Sequence, residues 1–291
     1  MTGSTESSAD FFLLKAAAVT NGSLLIEIHR KDGSPRYADT LNLLRHSCSL
    51  SEAPNPPTLV AALIRTAVIY SISASLYSIP TEHLNDATLS QMDEALGTLN
   101  YRADFLENLQ SEGLFLVKIF PIYLAEPELG DLQWVPTGLR DLWCARLIEL
   151  NNSKIKLLQG ADQLGYLEYK AMQNLQLKEN RGPFADLKNQ IDGMASLTDE
   201  QIPKIVNIPN AFRTTIAIRR FELANKTWPK NLDELVPQFL PKVPEDITTG
   251  KPFPYSLNSD GLPKLSFALH NRTEIWEMIS PAERDRRFEA R

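Results

Sequence analysis

The chain has 291 residues, a formal net charge of −6, a pI near 5.4, and 43% hydrophobic against 23% charged residues. That balance suits one large folded domain or two modest ones, each able to bury a real core. No long Lys/Arg run is present, which speaks against nucleic-acid binding, since neutralising phosphates needs a clustered basic face.

The first ten residues, "MTGSTESSAD", are small, polar and slightly acidic and lack the basic and apolar regions of a signal peptide. Residues 1–8 therefore read as a disordered or artificial start. From residue 9 onward nearly every periodic segment is helical: "ADFFLLKAAAV", then "YADTLNLLRHSCSLSEA" closed by "PNPP". Residues 58–79, "TLVAALIRTAVIYSISASLYSI", come nearest to a membrane span. Arg65 splits them and leaves about 14 serine-rich residues, too short for a span, so a buried core helix is expected. "TLSQMDEALGTLN" and "ADFLENLQSEGLFLVKIF" continue the helical run, with short polar or proline breaks that favour antiparallel neighbours. No strict repeat period is visible.

Residues 121–136, "PIYLAEPELGDLQWVP", read as an irregular connection; a helical stretch over 139–177 and a further helix in "RGPFADLKNQIDGMASL" follow. "IPKIVNIP" looks like a proline-bounded connector, after which Asn210 is placed to cap a helix with a stripe of Ala217, Ile218, Phe221 and Ala224. Asn231 and Glu234 then have capping-box spacing, and Pro237 and Pro241 end that short helix. Phe253, Tyr255 and Leu257 alternate, "NSDG" turns the chain, and Leu265, Phe267 and Leu269 alternate in reply, which predicts a β-hairpin. A lone hairpin is marginal in water, so it is expected to pack on the preceding helix. Ser280-Pro281 with Glu283 predicts a charged terminal helix.

The expected fold is thus mainly α, an antiparallel helical bundle or repeat-like body over 9–200, followed by a small C-terminal α+β element over 201–291.

Few side chains suggest chemistry. The four histidines, His29, His46, His83 and His270, form no metal-ligand spacing, and His46 lies two residues from Cys48, on a different helical face. Cys48 and Cys144 read as buried free thiols, with a single disulfide as the alternative. Glu107 and Glu112 flank a helix; Glu112 is a candidate acid in a helical cleft, or a partner for Arg65 or Arg102 in an interhelical ion pair. Thr249-Gly250-Lys251 is too short for a phosphate loop, and no Gly-x-Ser-x-Gly elbow is present. Asp246 and Asp260 read as turn residues rather than calcium ligands. Trp134, Trp228 and Trp276 lie beside prolines or helix ends where a groove would form, against the plainer expectation of core packing. Trp134, Trp228 and Tyr255 are the binding candidates. No catalytic residue, metal or cofactor is assigned.

Arg220-Phe221, Trp228-Pro229, Leu232 and Leu235, Pro237, Pro244 with Asp246, Gly250 to Pro252, and Phe253 with Tyr255 form a pattern over residues 210–257. It resembles a segment of uncharacterised bacterial envelope-associated helical proteins and, more distantly, of type II secretion major pseudopilins. The upstream "PTLVAALIRTAV" also looks like the helical bodies of the former, and Glu112 resembles a carboxylate in them. The long apolar N-terminal helix and cleaved leader of pseudopilins have no counterpart here, and their calcium-binding loop is not matched. The resemblance implies a cell-envelope, periplasm-facing setting, with membrane contact only through an anchor outside this chain. The expected role is a non-catalytic interaction or scaffold protein with a protein partner. A hydrolase-like enzyme with a site near Glu112 and a cytoplasmic helical-repeat adaptor are the alternatives.

Overall fold

Three α-helices and two antiparallel sheets make up the described part of the molecule. A computed structural model describes residues 41, 42, 44, 45, 59–78, 84–98, 138, 142, 145, 149, 185–269, 272–278 and 280. Two compact units divide the chain: Met1–Leu50, Leu63–Asn100 and Pro203–Arg291 form one, and Ser51–Ala62 with Tyr101–Ile202 the other. The first unit holds the core described below.

Helix α1 spans Leu59–Ser78 and buries Val68, Ile69, Ile72 and Leu76. Ser71 and Ser73 do not prevent burial, because their hydroxyls donate to carbonyls of their own helix: Ser71 to Ala67 at 2.9 Å and Ser73 to Tyr70 at 2.7 Å. Among the described residues no helix is long and apolar enough to cross a membrane. Helix α2, Asp86–Gly97, starts at Asn85, whose side-chain oxygen accepts from the N–H groups of Ala87 and Thr88. Leu89, Met92, Ala95 and Leu96 form its buried stripe.

Helix α3 runs from Ala185 to Asn225, straight through the segment expected to be a connector. Pro203 and Pro209 lie inside it, and Asn210, expected as a cap, is an interior residue. Each proline removes one main-chain donor and costs about 3 kcal/mol in a free helix. Here Ile205, Ile208, Ala211 and Phe212 around them are all buried, and that packing outweighs the local preference. The expected domain boundary after residue 200 falls within this helix. α3 ends at Lys226, whose φ of 57° is left-handed and whose N–H returns to the Glu222 carbonyl at 2.8 Å.

Beyond it Leu232–Leu235 forms one 3-10 turn, and the chain leaves helical geometry at Val236, before Pro237. Strands β1 (Glu245–Asp246) and β2 (Lys251–Pro252) make a two-stranded ribbon closed by Gly250, at φ 65°. Strands β3 (Tyr255–Leu257), β4 (Pro263–Leu269) and β5 (Arg272–Glu277) form an antiparallel meander in the order β3-β4-β5. The hairpin register pairs Tyr255 with Leu265 and Leu257 with Pro263.

The mainly α bundle or repeat-like body expected from sequence is not what these residues form. The helices do not close a core on one another; they share it with the sheet, so that Ile69, Phe212 and Ile216 belong to the same cluster as Leu265, Phe267 and Trp276. Helical periodicity shows that a segment has an apolar stripe, but not whether a helix or a sheet will cover it. On the sheet, Phe267 lies 4.9 Å from the Trp276 ring and 5.8 Å from Phe253, and Tyr70 of α1 meets Trp276 at 5.9 Å. Phe221, part of the helical stripe on which the hairpin was expected to pack, lies edge-on against Phe239 at 5.8 Å.

Candidate functional site

Of the sequence candidates, Tyr255 bonds to Pro229, the residue that follows Trp228, at one corner of the first unit. Asn231 accepts from the N–H groups of Asp233 (3.0 Å) and Glu234 (3.3 Å), while the Glu234 carboxylate accepts from the Lys230 N–H at 3.1 Å. This reciprocal capping fixes the turn with Leu232 and Leu235 buried beneath it. Tyr255 then ties the sheet to the corner, its hydroxyl donating to the Pro229 carbonyl at 2.8 Å. Burial, and then the nearby Glu234 carboxylate, push the Tyr255 phenol well above its ordinary range. It therefore remains a neutral donor at physiological pH, suited to anchoring rather than to proton transfer.

Trp228 is half-buried, and the Arg219 guanidinium lies 5.5 Å from its ring centroid. The same guanidinium, on a residue 4% exposed, donates to the Leu76 carbonyl from Nε at 3.2 Å and from Nη2 at 2.9 Å, and meets Glu222 at 3.1 Å. Leu76 lies in the last turn of α1, where carbonyls lack helical partners. One arginine thus closes α1, braces α3 and supports the tryptophan. Trp276, by contrast, is a core residue, 7% exposed.

A second constellation was not foreseen. Asn207 of α3 is fully buried and donates to Asp246 Oδ1 at 2.9 Å and to the Ala268 carbonyl at 2.8 Å, while accepting from the Ile247 N–H at 3.0 Å. Asp246 Oδ1 also accepts from the Thr248 N–H (2.8 Å) and hydroxyl (2.6 Å), and Oδ2 accepts from the Ala268 N–H at 2.6 Å. Both carboxylate oxygens are thus engaged by protein donors, so the group fastens the β1–β2 turn to α3 and β4. The sequence signal was a lone asparagine between Ile205 and Ile208 in an otherwise apolar stretch.

No protein-family model, curated protein or solved structure matches the chain. Function must therefore be argued from these side chains. Among the described residues no group of three or more His, Cys, Asp or Glu is placed to hold a metal ion. Trp134, Glu107, Glu112, Arg102, Cys48, Cys144 and the four histidines lie outside the described residues, as does the terminal helix expected after Pro281. Asp260 is exposed and belongs to the β3–β4 turn, its N–H bonded to Asn258 Oδ1 at 2.9 Å.

Proposed function

We propose that the chain is a non-catalytic interaction or scaffold protein of the bacterial cell envelope, working through its C-terminal sheet. The observation that carries this reading is the sheet's two-sided character. Leu265, Phe267, Leu269 and Trp276 close one side against the helices, while Ile275, 52% exposed, stands in solvent on the other side and Leu257, 39% exposed, at the end of the β3 edge. Large apolar side chains on a rigid, well-supported sheet suit contact with another protein. The envelope setting is supported by the pattern over residues 210–257, in which Tyr255 is tied to Pro229 and Asp246 holds the turn that Gly250 closes.

The test is in-cell photo-crosslinking from positions 257 and 275, with Lys242, an exposed residue away from the sheet, as control. Discrete adducts from either sheet position, recovered in the envelope fraction, are expected. Adducts no stronger than those from position 242 at both sites would refute the interaction reading, and recovery in the cytosolic fraction alone would refute the envelope setting.

A further inference from the structure

The β4–β5 register shows which main-chain groups of β5 look outward. Met278 N–H donates to the Pro263 carbonyl at 2.9 Å, making that pair a hydrogen-bonded one. Bonded and non-bonded pairs alternate in an antiparallel ladder, so Trp276 with Leu265, Glu274 with Phe267 and Arg272 with Leu269 are bonded as well. The N–H and C=O groups of Thr273, Ile275 and Glu277 therefore point away from β4. Among the described residues no hydrogen bond engages them. The same three side chains are exposed, so the strand offers an open edge rather than only an apolar patch. The opposite edge, β3, has three residues, and its Tyr255 is committed to Pro229.

We propose that β5 pairs antiparallel with β5 of a second copy of this chain, with Ile275 facing Ile275 across a twofold axis. This inference deepens the interaction reading above, on which it rests, by naming the partner. The choice of occupant and register follows from what each alternative would oppose. Outward-bonding residues must face outward-bonding residues, and a twofold axis normal to the sheet keeps each side chain on its own face. Centring on Glu277 or on Glu274 sets like charges directly against each other. Centring on Thr273 leaves Ile275, Trp276 and Glu277, half of the strand, outside the β5–β5 pairing, and centring on Trp276 sets Ile275 against a carboxylate. Centring on Ile275 avoids all four problems. It places the exposed isoleucines in contact, sets the Thr273 hydroxyl against the Glu277 carboxylate of the other copy, and engages every outward main-chain group. It sets Arg272, 69% exposed, opposite Met278 of the other copy, so no like charges face each other directly.

The test uses the full chain with Cys48→Ser and Cys144→Ser as background. Ile275→Cys treated with a short bis-maleimide is expected to give an adduct of twice the chain mass, while Leu257→Cys on the opposite edge is not. Mixed Thr273→Cys and Glu277→Cys chains should cross-link to each other, and neither should to itself. In sedimentation the unmodified chain should show concentration-dependent dimers. Ile275→Lys should weaken them by about tenfold or more with an unchanged circular dichroism spectrum. A chain that sediments as a monomer at every concentration, or Ile275→Cys linking no better than Leu257→Cys, overturns the proposal. An adduct from position 275 to a different protein also overturns self-pairing, yet leaves the interaction reading standing. If Ile275→Lys fails to fold, the cysteine pairs decide alone.

Discussion

At Asp246 a carboxylate only 2% exposed accepts hydrogen bonds from Asn207, Thr248 and Ala268, whereas along the α2–α3 seam carboxylates meet arginines with water close by. Asp86 pairs with Arg220 and Asp93 with Arg213, each at 2.7 Å, and the seven-residue spacing on both helices fits an antiparallel pair. The Asp86 side chain is 56% exposed. Equal distances conceal unequal worth. A donor stranded in the interior loses its partner and gains no water, while an exposed ion pair exchanges one solvated state for another. Removing Asp246 should therefore be the most damaging polar change. Asp246→Ala leaves several donors unmet, at about 1–3 kcal/mol each, so a loss on the order of 5 kcal/mol is expected in denaturant melts. A cost no larger than that of Asp86→Ala would break the comparison.

The aromatic contacts sharpen the same contrast between inside and rim. Phe267 is 1% exposed and touches two other aromatic rings, so Phe267→Ala should cost about 3–5 kcal/mol. Phe221 is half-buried and meets Phe239 at the rim, so Phe221→Ala should cost about 1–2 kcal/mol, the loss of part of its buried area. Thermal melts of the two variants beside the parent chain check the order. If Phe221→Ala proves the costlier, the core lies nearer the end of α3 than the packing implies.

The seam should respond much less to truncation than either of these. Asp86→Ala is expected to cost about 0.2–1 kcal/mol, and the cost should shrink further in high salt. Retention of the full effect in high salt would show that the pair acts as a buried one.

What the sequence made legible follows the same division between local and tertiary causes. The Asn231–Glu234 cap and the Tyr255/Leu265 hairpin are set within a few residues, and the side-chain pattern states them directly. The path of α3 through Pro203 and Pro209 is set by residues distant in sequence that bury Ile205 and Phe212, so local proline chemistry pointed to a connector. Strand β5 was missed because "RTEIWE" puts Ile275 and Trp276 side by side, one outward and one inward, which hides the alternation. At the candidate site the sequence named Trp228 and Tyr255 from their neighbours, and the structure places both at half-buried positions. The Asn207–Asp246 tie was not named, because its partners are 39 residues apart and nothing local joins them.

The smallest effect expected near neutral pH concerns Tyr70, and it becomes visible only in alkali. Its hydroxyl donates to Glu274 Oε1 at 2.6 Å, joining α1 to β5. Burial, then the hydrogen bond and negative charge of Glu274, push the phenol up from its ordinary value near 10 to about 12, with Arg272 partly opposing. A raised folded-state pKa means that the fold favours the protonated phenol. That stabilisation is fully present below pH 10 and is lost as the pH climbs from about 10 to about 12. Tyr70→Phe keeps the partly buried ring and removes one hydrogen bond at its rim, so it should cost about 1 kcal/mol at most at neutral pH. Between pH 10 and about 12 the parent should lose stability faster than the Phe variant, and the gap between their urea midpoints should close. Parallel curves across that window would mean that the Tyr70 phenol titrates alike in the folded and unfolded chain, and that α1 is held to β5 by the Trp276 ring contact without help from the hydroxyl.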